Sequence, residues 1–136
     1  MKKKILKKVT ALLLIVVLAL TLAISAFAAD RSFTMLGYTG KVSLTRDSAS
    51  GTGKTYFPIY PSAAVTRNVS VTLYYTKNGT SFNRTASAQA VTTPFSGDTT
   101  ASITIYVPDS TYSTTSAKSS HECYTGSTRY TDALNA

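Results

Sequence analysis

The chain has 136 residues, with 14 Lys or Arg, 6 Asp or Glu and a net charge of +8. Five of the basic residues lie within the first eight positions, so the rest of the chain holds nine bases against six acids, a balance of +3. That balance is too small for the positive surface of a nucleic-acid-binding protein, which we therefore do not expect. A single cysteine allows no internal disulfide, so the fold must depend on its hydrophobic core.

The N-terminal stretch is organised like an export signal. Its lysines precede an almost unbroken apolar run, Val9–Ala28, which we expect to be helical. The run ends in the small-x-small pattern that signal peptidases cut, Ala26-Phe27-Ala28. The sequence thus predicts a signal peptide over residues 1–28, with cleavage between Ala28 and Ala29. The alternative is that the run stays uncleaved as a membrane anchor, the one membrane contact we expect.

The long, basic style of this signal resembles the export signals of Gram-positive bacteria. Residues 29–136 are then expected to form one secreted, extracellular domain. We find no linker that would divide them, and no sorting motif that would tie them covalently to a cell wall.

The first third of this domain shows strand signals separated by turn formers. Ser32–Arg46 reads as one long strand or two short ones. The positions predicted to share its inner face are Leu36, Tyr38, Val42 and Leu44. Asp47–Lys54 is rich in Gly and Ser and is predicted to be a loop. Thr55–Tyr60 is predicted to be a short edge strand, because Pro58 cannot donate a ladder hydrogen bond.

The clearest element is a β-hairpin over Val69–Val91. Its first arm, Val69–Tyr75, alternates apolar and polar residues, as a strand with one buried face must. The turn contains Asn78 and Gly79, which tolerate the positive φ angles of a tight hairpin. The return arm from Phe82 places alanines in one phase and polar residues in the other.

The remaining segments extend the same pattern. Ala101–Val107 alternates as a strand, Asp109–Ser116 is a predicted loop, and Ala117–Tyr124 with Ser127–Thr131 is a predicted final hairpin. Strand signals recur about every ten residues, and none of these segments has a helical apolar stripe. The fold class is therefore all-β, an antiparallel sandwich of six to eight strands.

Two side chains invite a catalytic interpretation. His121 and Cys123 are the only His and the only Cys, and two residues apart on a strand they share a face. Parallel side chains converge poorly for proton transfer, and a metal site would lack ligands, so we predict neither catalysis nor a metal or other cofactor. We expect Cys123 to be buried, with an intermolecular disulfide as the alternative.

Tyrosine is the more informative residue type, since the chain contains nine Tyr and no Trp. Tyr74 and Tyr106 fall out of phase with the inward residues of their strands, so both should lie on outer sheet faces. We predict them as binding residues of a non-catalytic module that contacts a cell-wall glycan or another surface protein. The alternative is a secreted, bacteriocin-like antagonist, and a Cys/His hydrolase is a third hypothesis.

Overall fold

The structure, a computed structural model, describes residues 27–136, which form eight antiparallel strands in two sheets. The strands are β1 (Phe27–Met35), β2 (Tyr38–Arg46), β3 (Ser50–Tyr56), β4 (Val65–Lys77), β5 (Thr80–Thr92), β6 (Thr100–Tyr106), β7 (Ser113–Thr125) and β8 (Thr128–Asn135). The predicted signal helix lies outside the described residues. Both residues of the predicted cleavage junction, Ala28 and Ala29, lie in β1.

The two sheets have four strands each and pack face to face. Sheet A has the order β1-β2-β3-β6, and sheet B has the order β5-β4-β7-β8. The central strands β3 and β4 contact each other across the interface, as do β2 and β7. The core between the sheets is built from the alternating inward residues that strands of this kind present. The arrangement is sandwich-like and all-β, as the strand pattern predicts.

The β4–β5 hairpin confirms the strongest sequence prediction. It pairs continuously from Val65 opposite Thr92 to Lys77 opposite Thr80. Asn78 and Gly79 form the turn with φ angles of 51° and 77°. Positive φ at both central residues gives the turn the twist that matches the flanking strands.

The predicted inner face of Ser32–Arg46 is wrong at Leu36 and correct at Tyr38, whose ring packs edge-on against the buried Phe57. Leu36 and Gly37 have φ angles of 54° and 81° and form the tight turn between β1 and β2. Leu36 is consequently exposed. Phe33 and Met35 take the inward positions instead. The turn between the two strands resets the phase that a single strand would have kept.

The predicted loop Asp47–Lys54 is also wrong, because β3 begins at Ser50 and is an interior strand. Its inward positions include Gly51 and Gly53. A Cβ on Gly53 would lie 2.5 Å from Val71 Cγ2 and 2.9 Å from Val69 Cγ2. These glycines are therefore not turn formers, and the strand needs them so that the sheets can approach closely.

Two further boundaries differ from the sequence prediction. Of the predicted strand Thr55–Tyr60, only its first two residues belong to β3, and the chain leaves sheet A at Phe57, one residue before Pro58. The predicted loop Asp109–Ser116 is too long, because β7 begins at Ser113. The Ser and Thr residues at the start of β7 are as compatible with a strand as with a loop, and pairing with β4 decides between them.

The largest fully buried side chain is that of Arg67, an inward residue of β4. Its guanidinium donates to the carbonyls of Phe57 (2.8 Å), Val65 (2.9 Å) and Pro58 (3.0 Å). Two further bonds of 3.1 Å reach the hydroxyl of Thr92 on β5. All of these acceptors are uncharged. Arg67 thus fixes the crossover from sheet A to sheet B against both strands of the main hairpin.

We expect Gly53→Ala to destabilise the domain by about 1–3 kcal/mol, because the new methyl group would overlap two β-branched valines that cannot move aside. Gly51→Ala is the matched control. Its Cβ would lie 3.1 Å from Leu73 Cδ1, the end of a flexible side chain. Urea unfolding of both variants measures the difference, and equal losses would contradict the account of close sheet approach.

Arg67→Met should lower the free energy of unfolding by about 1–3 kcal/mol, since it leaves buried carbonyl oxygens without donors. Arg84→Met, at an exposed position of β5, should change it by less than about 0.5 kcal/mol. Equilibrium unfolding in guanidinium chloride compares the two. A cost at Arg67 no larger than at Arg84 would show that the buried network contributes little.

Candidate functional site

The two residues considered for catalysis both lie in the core. His121 and Cys123 point inward from β7 and are 2% and 0% exposed. Burial raises the pKa of the Cys123 thiol to about 11, although the nearby Arg67 guanidinium opposes this. A buried, protonated thiol is a poor nucleophile. The predicted burial of Cys123 is confirmed, and the geometry gives the hydrolase hypothesis no support.

His121 is held by a chain of hydrogen bonds that explains its burial. Thr55 donates its hydroxyl proton to the Asn68 carbonyl at 2.9 Å, so its oxygen is left to accept from Nδ1 of His121, also at 2.9 Å. Nε2 of His121 then accepts from the hydroxyl of Ser119 at 2.6 Å. Both ring nitrogens of a neutral imidazole are satisfied in this way. Burial lowers the pKa of His121 to about 4, against the opposing charge of Asp132.

The geometry of the described residues does not support a metal site either. Within residues 27–136 no three His, Cys, Asp or Glu side chains come together as a metal would require. The same residues contain no helix long and apolar enough to cross a membrane. Neither observation bears on the first 26 residues.

The two predicted binding tyrosines lie on opposite sides of the molecule. Tyr74 is on the outer face of sheet B, because the odd-numbered residues of β4 face the core. Tyr106 is on the outer face of sheet A and is 64% exposed. Each is on an outer face, as predicted, but the two cannot contribute to one site. The outer faces therefore have to be considered separately.

The outer face of sheet B contains a concave surface with a volume of about 960 Å³. Its floor is a row of four small side chains in register across all four strands. They are Ser87 on β5, Ser70 on β4, Ser120 on β7 and Ala133 on β8. Because one neighbouring row carries the longer side chains of Asn68, Gln89 and Glu122, these four residues form the floor of a groove at right angles to the strands. We call it the serine groove.

One wall of the serine groove is a hydrogen-bonded polar row. Gln89 donates to the Asn68 side-chain oxygen at 2.9 Å, and the Asn68 amide donates to Glu122 at 2.9 Å. Glu122 also pairs with Arg129 at 3.2 Å. The Glu122 charge is therefore compensated within the protein. This wall is hydrogen-bonded along its length and offers amide and carboxylate groups along the groove.

On the other side of the groove, the next row combines hydroxyl groups with a cation, and Tyr74 lies one row further out. The hydroxyls of Thr72 and Thr85 are hydrogen-bonded at 2.8 Å. Lys118, directly beside Thr72 on β7, places its ammonium group 5.8 Å from the centre of the Tyr74 ring. Beyond the opposite wall, Arg129 lies 5.3 Å from the centre of the Tyr124 ring. Aromatic rings covered by cations thus lie beyond both sides of the groove.

Sequence reasoning identified one residue near this site, Tyr74, and missed its floor. The alternation of β4 and β7 indicates which of their serines face outward. Only the strand order and register show that these serines line up with Ser87 and Ala133. The sequence does show small side chains at outward positions of single strands. It does not show that these positions are neighbours, because this depends on how the strands pair in the sheet.

The pKa of His121 predicts a pH dependence of stability. The folded value of about 4 lies below the unfolded value of about 6.5, so the unfolded chain binds the proton more tightly. The neutral His121 imidazole makes its full contribution to the free energy of unfolding above pH 6.5. This contribution, about 3 kcal/mol in total, is lost as the pH falls towards 4. In His121→Gln, unfolding free energies measured between pH 7 and 4 should fall less steeply than in the unaltered protein. Equal slopes would contradict the buried neutral imidazole.

Comparisons of this chain with protein-family models, curated proteins and solved structures find no significant match. The argument for function therefore rests on the geometry of the outer faces, and above all on the serine groove.

Proposed function

We propose that this protein is a non-catalytic binding module of the cell envelope or the extracellular space, and that the serine groove holds an extended, hydroxyl-rich polymer such as a cell-wall glycan. The observation that carries the proposal is the row of four small side chains that crosses every strand of sheet B. A continuous trough of this kind is open at both edges of the sheet. It therefore suits a chain that passes through rather than a compact molecule.

The dimensions of the groove support a single extended chain. Its wall rows lie four residues apart along each strand, a separation of about 13 Å between backbones. It crosses three inter-strand gaps, about 14 Å in all. This length accommodates a few units of a polymer, and the width leaves room for one chain between the side chains of the walls.

The chemistry of the groove favours an uncharged ligand with many hydroxyl groups. Ser70 accepts a hydrogen bond from Ser87 at 2.9 Å, so the Ser70 hydroxyl proton remains available to a ligand. The wall adds amide groups, and its one carboxylate, Glu122, is neutralised by Arg129. Such groups can donate to and accept from sugar hydroxyls. A charged partner would find no unopposed charge on this wall, and the cation on the other side of the groove, Lys118, lies 5.8 Å from the centre of the Tyr74 ring.

The proposal predicts that Ser120→Tyr, which places a ring in the centre of the floor, weakens glycan binding by at least about tenfold, or about 1.4 kcal/mol. Ser32→Tyr makes the same change on the outer face of sheet A and is the matched control. The assay is a pull-down of the domain Phe27–Ala136 with intact cell walls, followed by titration calorimetry with the soluble glycans that those walls release.

Two outcomes would contradict the proposal. If the unaltered domain binds neither walls nor glycans, the glycan-binding function is wrong, and the antagonist hypothesis would be tested next by growth inhibition of neighbouring cells. If Ser120→Tyr binds as well as Ser32→Tyr, the serine groove is not the site. Single variants Tyr74→Ala and Tyr106→Ala then show which outer face carries the binding.

A further inference from the structure

The four edge strands differ in how they are protected against pairing with other chains. Charged side chains on an edge strand discourage such pairing. Three of the edges carry them: Asp30 and Arg31 on β1, Arg84 on β5, and Arg129 and Asp132 on β8. The fourth edge, β6, reads Thr-Ala-Ser-Ile-Thr-Ile-Tyr and has neither charge nor proline. It is thus the unprotected edge of the described domain.

Flanking hydrogen bonds show which backbone groups of β6 face this open edge. The Val107 N–H donates to the Ala49 carbonyl at 2.8 Å, and the Thr99 carbonyl accepts from Phe57 at 3.0 Å. Both bonds point towards the β3 side. Because successive residues of a strand alternate, the odd-numbered residues of β6 bond to β3. The even-numbered ones direct N–H and C=O groups outward, and β6 has no second strand partner within residues 27–136.

We propose that β6 is an interface for a second copy of this chain, formed by antiparallel pairing of the two β6 strands about a two-fold axis at Ile103. In this register Ser102 lies opposite Thr104 of the second copy, and Thr100 lies opposite Tyr106. These are the residues whose backbone groups face outward, so each such pair can exchange two hydrogen bonds. Sheet A would then continue through the interface as an eight-stranded sheet.

The side chains of β6 suit this pairing on both faces of the sheet. On the core side, the half-buried Ile103 would meet its own counterpart at the axis. On the outer side, the exposed Tyr106 would join the row that holds Thr100 and Tyr56 of the other copy. Aromatic and β-branched cross-strand neighbours stabilise antiparallel pairs, and no like charges would face each other.

A second copy is the occupant that these features favour. The register superimposes the same seven residues on themselves, which is what a two-fold interface requires. The pairing uses up the β6 edge of both copies, and the charged β1 edges at the far ends of the extended sheet remain exposed. The assembly therefore closes as a dimer instead of continuing as a fibre.

The test is the oligomeric state of the domain Phe27–Ala136, measured by sedimentation equilibrium over a range of concentrations after circular dichroism and cooperative melting have shown that it folds. The unaltered domain should show a reversible monomer–dimer equilibrium. Ser102→Pro removes an outward N–H and no bond to β3, so it should shift the equilibrium at least about tenfold towards monomer. Ser102→Ala keeps the N–H and should dimerise like the unaltered domain.

A second variant can test the interface if Ser102→Pro does not fold. Ser102→Lys combined with Thr104→Lys places lysines opposite each other in the proposed register and should also yield monomers. The proposal is overturned if the unaltered domain stays monomeric up to its solubility limit, which would leave the edge to a strand of another protein. It is also overturned if the folded proline or lysine variant dimerises as strongly as the Ser102→Ala control.

Discussion

The buried guanidinium of Arg67 is the interaction on which the rest of the structure depends. It lies where the chain crosses from sheet A to sheet B, and its donors tie Phe57 and Pro58 of the crossover to Thr92 at the end of the main hairpin. A charge in this position is tolerated because five hydrogen bonds to neutral oxygens replace its hydration. This contact therefore fixes the chain at the crossover between the two sheets, whereas the alternation along each strand sets which residues face outward.

The alternation of Val69–Tyr75 within β4 made the hairpin and the all-β class predictable from sequence, because each residue type in that arm agrees with its position. Prediction failed where one residue type is found in two kinds of position, as glycine is in loops and in close-packed strands. Gly53 resembles a loop residue until Val71 is seen above it, and Leu36 resembles a core residue until the following glycine turns the chain. The burial of Arg67 could not be predicted because its acceptors, three backbone carbonyls and the Thr92 hydroxyl, come together only in the folded chain.

In the candidate site, too, features of a single strand could be predicted from sequence, whereas features that depend on strand pairing could not. Outward positions can be assigned strand by strand, which correctly placed Tyr74 and Tyr106 on outer faces. Whether two such residues share a surface depends on strand order and on which sheet each belongs to. The serine groove arises from strand order and register, since its four floor residues come from two hairpins, β4–β5 and β7–β8, that are far apart in sequence. A core that needs no disulfide leaves both outer faces free for binding.

The central claim is that the serine groove is the surface that receives the ligand, and backbone amide NMR during titration with soluble cell-wall glycan tests it most directly. We expect saturable shift changes in the amides of Ser70, Ser87 and Ser120, with the sheet A residues Thr52 and Thr104 unchanged. Shifts confined to sheet A, or none at saturating glycan, would contradict the account.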